Sequence, residues 1–149
     1  MNNPAAAIST PAIARRLACA VYDVLLLAAV VVIATFPFLA VVGDASHGAR
    51  RHLLQAYVLA VAGAYFVAFW TRGGQTLAMK TWGIRLVGPG TQPPGVALAH
   101  KRYLLVMASL AIAGLGFLWA FVDRDEQVLH DRLAGTRLVD AALAPRENA

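Results

Sequence analysis

Three long apolar stretches, separated by polar segments, dominate the hydrophobic pattern of this chain. Residues 24–43, 53–71 and 103–122 contain no Asp, Glu, Lys or Arg. Each stretch is close to the roughly 20 residues that a helix needs to cross the hydrocarbon core of a bilayer. The pattern therefore predicts an all-α membrane protein with about three hydrophobic helices, at residues 17–42, 53–70 and 103–122.

The polar segment between the second and third stretches has local signals of its own. A short basic stretch leads into residues 82–87, which alternate in polarity and are followed by Gly88-Pro89-Gly90. This pattern predicts a short strand that ends in a turn, and residues 96–102 are expected to begin the next helix. The chain divides into a mobile N-terminal tail, a membrane domain and a mobile C-terminal tail, at residues 1–14, 15–140 and 141–149.

An internal repeat becomes visible when the chain is aligned with itself at an offset of 52. Residues 65–87 and 117–139 align without a gap, and 9 of these 23 positions are identical. Each copy contains the pattern Q-x-L-x-x-[KR]-x-x-G-x-R-L-V after an aromatic helix end. Matching Gln, Gly and Arg in register favour a true repeat over coincidence in a chain rich in Ala and Leu. In membrane transporters, such repeats often enclose a binding site between the copies.

The repeat leaves two topologies open. With three simple spans and a cytoplasmic N-terminus, seven cations lie inside and six outside, which shows almost no positive-inside bias. If the third segment is re-entrant and turns back at residues 114–116, the counts become eleven and two. Both G-x-R-L-V stretches would then be cytoplasmic and could pair as two short strands. Length favours the full span, because each half would have only about 8 to 11 residues.

Composition supports a membrane location and removes other classes. Charged residues make up 14% of the chain, against about 25% in soluble proteins. The net charge of +5 could suggest nucleic acid, but most cations flank the apolar stretches, where membrane orientation and anionic headgroups explain them better. We therefore expect the lipid bilayer, not nucleic acid, as the partner. A single cysteine, Cys19, excludes an intrachain disulfide.

Asp23 is the most informative single residue, because it lies inside the first segment, about 9 Å along the helix from Leu17. An ionisable group within a membrane segment is a hypothesis of function by default. Arg16 lies two turns earlier on the same face, and Arg85 or Arg137 from the repeat copies could also pair with Asp23. Two interpretations stay open: a structural pair that fixes the helix position, and ion or substrate handling.

The other polar residues give little support to catalysis or metal binding. The four histidines are scattered without metal-site spacing, and the acidic residues at 123–126 resemble a solvated turn. The sequence contains no P-loop, nucleophile elbow or dinucleotide fingerprint. We expect no catalytic residues, no metal, no cofactor and no enzymatic activity.

Several strings of residues resemble the RDD family of bacterial membrane proteins. They are Arg16-Leu17-Ala18 followed by Asp23, residues 74–77 (GQTL), 83–87 (GIRLV), 116–121 (GFLWAF) and 130–136 (HDRLAGT). The resemblance implies that Arg16, Asp23 and Asp131 are the arginine and two aspartates of the family name, with Asp123 a weaker choice for the second aspartate. One departure is Lys80-Thr81-Trp82, where relatives more often have Gly-Lys-Arg.

The family's activity is poorly defined, so the resemblance implies location and fold more than mechanism. Our leading hypothesis is a multi-pass protein of the bacterial cytoplasmic membrane, a transporter or transporter component that handles an ion or small solute. Its polar network would lie near the cytoplasmic face, and three segments are too few to enclose a pathway, which favours a homo-oligomer. The alternative is an assembly or scaffold module that packs against another membrane protein.

Overall fold

The computed structural model of the chain describes residues 10–111 and 133–142. Within these residues, four helices and two strands follow one another along the chain. They are α1 (Ile13–Val42), α2 (Gly48–Gly73), α3 (Leu77–Thr81), β1 (Ile84–Val87), α4 (Val96–Ala111) and β2 (Arg137–Asp140). A 3₁₀ turn at Pro89–Thr91 lies between β1 and α4. The architecture is mainly helical, as the sequence predicts.

The first two predicted segments correspond to α1 and α2, both long and apolar enough to cross a membrane. α1 and α2 begin at residues 13 and 48, before their predicted starts at 17 and 53, because the residues on the N-terminal side continue each helix. Residues 13 and 14 therefore belong to α1 and not to the predicted N-terminal tail. The two helices pack as an antiparallel pair, and the Tyr57 hydroxyl donates a hydrogen bond of 3.0 Å to the carbonyl of Ala34. Tyr57 also contacts Phe38, with 4.9 Å between ring centroids.

The third predicted segment is described only in its first part, as α4. This helix begins at Val96, so the prediction that residues 96–102 start it is confirmed. Gly63 of α2 allows α4 to approach closely, since a Cβ there would lie 3.0 Å from Cε1 of Tyr103. The Tyr103 hydroxyl donates to the carbonyl of Leu59 at 2.7 Å. Residues 112–122, on which the re-entrant prediction depends, lie outside the described residues.

The two G-x-R-L-V stretches pair as antiparallel strands, which confirms the predicted strands and their pairing. Leu86 faces Leu138 in the register, and Arg85 faces Val139. Gly83 and Gly135, equivalent in the repeat, precede the strands with left-handed φ values of 63° and 73°. Both copies of this motif therefore lie on the same side of the molecule, as the re-entrant alternative requires.

Together, α3, β1 and β2 form what we call the strand unit, and Gly74 joins it tightly to α2. Gly74 ends α2 with a left-handed φ of 68°, and its carbonyl accepts a hydrogen bond of 2.7 Å from the Leu86 amide. A Cβ at residue 74 would overlap the Leu86 carbonyl oxygen. The side-chain amide of Gln75 donates to the carbonyl of Ile84 at 2.7 Å. These contacts fix the strand unit against the end of α2.

Arg15 fastens the strand unit to the beginning of α1. Its guanidinium donates to the carbonyl of Trp82 at 2.6 Å and to that of Gly83 at 3.1 Å. It also forms an ion pair of 2.9 Å with Asp140, at the end of β2. One side chain thus connects α1 with the beginning of β1 and the end of β2.

Candidate functional site

Asp23 lies on the buried face of α1, where it is 6% exposed. Its Oδ2 accepts a hydrogen bond of 2.8 Å from the Thr76 hydroxyl. The same hydroxyl accepts a hydrogen bond of 3.2 Å from the backbone amide of Met79 and so caps α3. Since Thr76 is fully buried, the start of the strand unit is held at the level of Asp23.

The second carboxylate oxygen of Asp23 has a different environment. The hydroxyl of Tyr65, on α2, faces the carboxylate. Neither Asp23 Oδ1 nor Tyr65 Oη has a hydrogen-bond partner of acceptable geometry, although both atoms are buried. Oδ1 of Asp23 is therefore less firmly hydrogen-bonded than Oδ2.

Asp23 lines a cavity of about 250 Å³ between α1, α2, α4 and the strand unit. The walls are mainly apolar and include Leu27, Phe66, Met79, Val106 and Leu138. Arg16, Asp23 and Arg102 supply the charged groups of the lining. Three charged residues therefore border a mainly apolar cavity.

Arg102, at the first turns of α4, is a site residue that the sequence reasoning missed. It is 4% exposed, and its Nη1 donates a hydrogen bond of 3.0 Å to the Thr136 hydroxyl. Its guanidinium carbon lies 4.7 Å from the centroid of the Trp70 ring, within the range of a cation–π interaction. Arg16, 9% exposed, is close enough for the two guanidinium groups to repel each other.

The structure brings together only part of the predicted polar network. Arg16 and Asp23 line the same cavity. Arg85 and Arg137 do not join them, because alternate residues of a strand point to opposite faces, and the neighbouring Leu138 faces the cavity. Arg85 Nε instead donates to the carbonyl of Gly73 at 3.2 Å. Asp131 lies outside the described residues.

The length of α1 sets the depth of Asp23 in a bilayer. Thirty residues span about 45 Å, which exceeds the hydrocarbon thickness of about 30 Å. Placing Val42 at one boundary of the core puts the other boundary about 20 residues earlier, at Tyr22 and Asp23. In that placement, Asp23 and Thr76 lie where the hydrocarbon core meets the headgroup region.

The end of the molecule that contains Asp23 and Thr76 carries an excess of cations. Arg72, Lys80 and Lys101 are exposed on α2, α3 and α4. Asp140 is the acidic residue of β2, and the hydrogen bond from Arg15 lowers its pKa from the ordinary value, with a smaller contribution from the amide of Ala142. We call this the basic end of the molecule, defined by Arg15, Arg72, Lys80 and Lys101.

No set of three His, Cys, Asp or Glu side chains in the described part of the chain is arranged to hold a metal ion. His47 contacts the Ser46 hydroxyl at 2.7 Å in an exposed loop. His100 contacts the carbonyl of Val96 on its own helix. These histidines lie apart from Asp23, so among residues 10–111 and 133–142 the site consists of one carboxylate, two guanidinium groups and hydroxyl groups.

Two helices are long enough to span a membrane, and the strand unit packs against one end of them, next to the buried Asp23. This arrangement defines a helical membrane protein. A family model for the RDD family matches residues 10–135 of the 149. The chain belongs to the RDD family. No curated protein and no solved structure matches it significantly.

Proposed function

We propose that the protein is a membrane transporter, or a component of one, and that Asp23 binds its coupling ion. One observation carries this proposal. A carboxylate that is 6% exposed has one oxygen fixed by Thr76, faces the Tyr65 hydroxyl with the other, and belongs to a residue of a membrane-spanning helix that lines a cavity. An ionisable group in such a helix is a hypothesis of function by default.

The chemistry of the lining favours a proton as this ion. In the described part of the lining, Asp23 supplies the carboxylate, and no group of three metal-binding side chains surrounds it, whereas a hard metal cation needs several oxygen ligands. A proton binds directly to Oδ1, adds no volume and leaves the hydrogen bond from Thr76 in place. Carboxylates at such positions often relay protons in pumps and transporters. The remaining cavity volume is available for the transported ion or small solute.

The proposal includes an orientation and an assembly. The basic end would face the cytoplasm, with the N-terminus, because short cytoplasmic segments of membrane proteins carry an excess of Lys and Arg. The membrane would be the bacterial cytoplasmic membrane, and the chain would cross it more than once. A homo-oligomer, or a complex with another membrane protein, would complete a pathway, and the two repeat copies would enclose the site. The role is not enzymatic.

The test is transport by purified protein in vesicles loaded with a pH-sensitive dye, under imposed gradients of Na⁺ or K⁺. We expect the wild type to move protons in response and Asp23→Asn to lose this flux. Asp44→Asn is the matched control, since Asp44 is exposed in the loop between α1 and α2. It should behave as the wild type. Proton flux through Asp23→Asn at the wild-type rate would show that Asp23 does not bind the coupling ion.

The same samples separate transport from the scaffold alternative. Size-exclusion chromatography of each variant reports whether the assembly is intact. Loss of flux with an intact oligomer supports transport. If the wild type carries no flux and Asp23→Asn loses the oligomer, the two results together support an assembly or scaffold module.

A further inference from the structure

The exposed side of α3 is a surface that the proposed transport role does not use. Ala78 and Met79 are buried towards α1, whereas Leu77, Lys80 and Trp82 are exposed. Leu77 is 48% exposed and Trp82 is 39% exposed. Leu77 and Lys80, three positions apart, therefore lie together on the outer side of α3, and Trp82, which follows the helix as its C-cap, is also exposed.

The contact with Asp23 determines the depth of this segment. Thr76 immediately precedes Leu77 and donates its hydrogen bond to Asp23. When α1 is placed with Val42 at the opposite boundary, Asp23 falls at the boundary of the hydrocarbon core, and α3 begins at the same level because Thr76 contacts Asp23. An exposed leucine at this depth contacts acyl chains, and tryptophan is typical of the headgroup level.

We propose that the outer side of α3 is a phospholipid-binding surface, on which Leu77 inserts among acyl chains and Lys80 binds the phosphate of an anionic headgroup. The charges around it favour an anionic lipid. Arg72 and Lys101, at the same end of the molecule, are also exposed. Each cation near an anionic membrane surface adds to the attraction. A protein partner is the competing occupant, and it would leave Leu77 inaccessible to lipid.

Nitroxide labelling tests the position of Leu77 in the full chain reconstituted into vesicles. Cys19 is the single cysteine, so Cys19→Ala gives a background for Leu77→Cys. The controls are Ile33→Cys, in the middle of α1 and 70% exposed, and Ser46→Cys, in the exposed loop. We expect the label at 77 to be accessible to oxygen, as at 33, and protected from a water-soluble relaxation agent. Accessibility like that at 46, or protection from both agents, would overturn the proposal.

A second measurement tests the headgroup. A fluorophore at position 82, introduced as Trp82→Cys in the same background, is quenched by spin-labelled lipid. In vesicles of phosphatidylcholine and phosphatidylglycerol, we expect quenching by spin-labelled phosphatidylglycerol to exceed quenching by spin-labelled phosphatidylcholine at least twofold. Lys80→Gln should remove this preference, while Arg51→Gln, at the other end of α2, should retain it. Equal quenching by the two lipids, or a preference unchanged by Lys80→Gln, would overturn the role of Lys80.

Discussion

The hydroxyl of Thr76 lies 2.8 Å from Oδ2 of Asp23 and donates a hydrogen bond to it, across 53 positions of sequence. The Thr76 hydroxyl oxygen also accepts a hydrogen bond from the backbone amide of Met79, in the first turn of α3. One hydroxyl therefore links the carboxylate of the first helix to the cap of the strand unit. A substitution of Asp23 or Thr76 should therefore alter both the environment of the carboxylate and the cap of α3.

Thr76→Val should destabilise the protein by about 2–4 kcal/mol, because it removes a hydrogen bond to a charged group and a helix cap together. Thr76→Ser retains the hydroxyl and should lie within about 1 kcal/mol of the wild type. Thermal unfolding in detergent micelles measures both variants. Equal midpoints for Thr76→Val and the wild type would show that the hydrogen bond to Asp23 contributes nothing to stability.

Gly74→Ala should be among the most damaging single changes in the described part of the chain. Residue 74 has a left-handed φ of 68°, and a Cβ there overlaps the Leu86 carbonyl oxygen. The conformation costs roughly 1 kcal/mol for alanine, and the overlap forces α2 and β1 apart. Gly73→Ala is the matched control, since no atom lies within 4 Å of its added Cβ. We expect low yield and a lowered unfolding midpoint for Gly74→Ala alone; equal stability of the two variants would contradict the packing described.

The ion pair between Arg15 and Asp140 should make stability depend on pH. The pKa of Asp140 is lowered in the folded protein by the hydrogen bond from Arg15, so the contribution is present above the unfolded-state pKa of about 3.9. It is lost as the pH falls through the folded-state pKa. Both side chains are partly exposed, at 36% and 22%, which limits the effect to about 1 kcal/mol or less.

Unfolding midpoints of the wild type and Asp140→Asn, measured between neutral pH and pH 3, isolate this contribution. The difference between the two proteins should be largest near neutral pH and should shrink at the acidic end. A difference that stays constant over the whole range would mean that Asp140 acts without its charge.

Arg102→Lys should destabilise the protein although it retains the positive charge. In the wild type, the planar guanidinium of Arg102 lies over the Trp70 ring, and its Nη1 donates to the Thr136 hydroxyl. A lysine ammonium is not planar and cannot make both contacts in this geometry. The expected loss is about 1–3 kcal/mol, from a desolvated cation–π contact and one hydrogen bond. Lys101→Gln, at the exposed neighbouring position, should have little effect. Chemical denaturation of both variants gives the comparison, and matching free energies of unfolding would argue against the stacking.

The fold was largely predictable where the pattern repeats. Two charge-free stretches have the length of spans and become α1 and α2. The repeated G-x-R-L-V strings predict both strands, and their equivalent glycines adopt the same left-handed conformation. Residues 112–132, which include Asp131 and most of the third stretch, lie outside the described residues, so the predictions about them stay predictions.

The site was only half predictable, for reasons of geometry. Arg16 and Asp23 share one helix face, and helical spacing predicts this directly. Thr76 and Arg102 reach the site through tertiary contacts between different elements, which spacing along the chain does not encode. Arg85 was a reasonable partner for Asp23 by charge, but the strand directs it to the face opposite the cavity. An unexceptional threonine in the GQTL string is the residue that binds the carboxylate.

Protonation of Asp23 is the central claim, and infrared difference spectroscopy tests it most directly. Spectra of the reconstituted protein at a series of pH values record the C=O stretch of protonated carboxyl groups. The wild type should show a band that titrates with pH, is absent from Asp23→Asn and remains in Asp44→Asn. Identical spectra for the wild type and Asp23→Asn at every pH would contradict the claim that Asp23 binds the coupling proton.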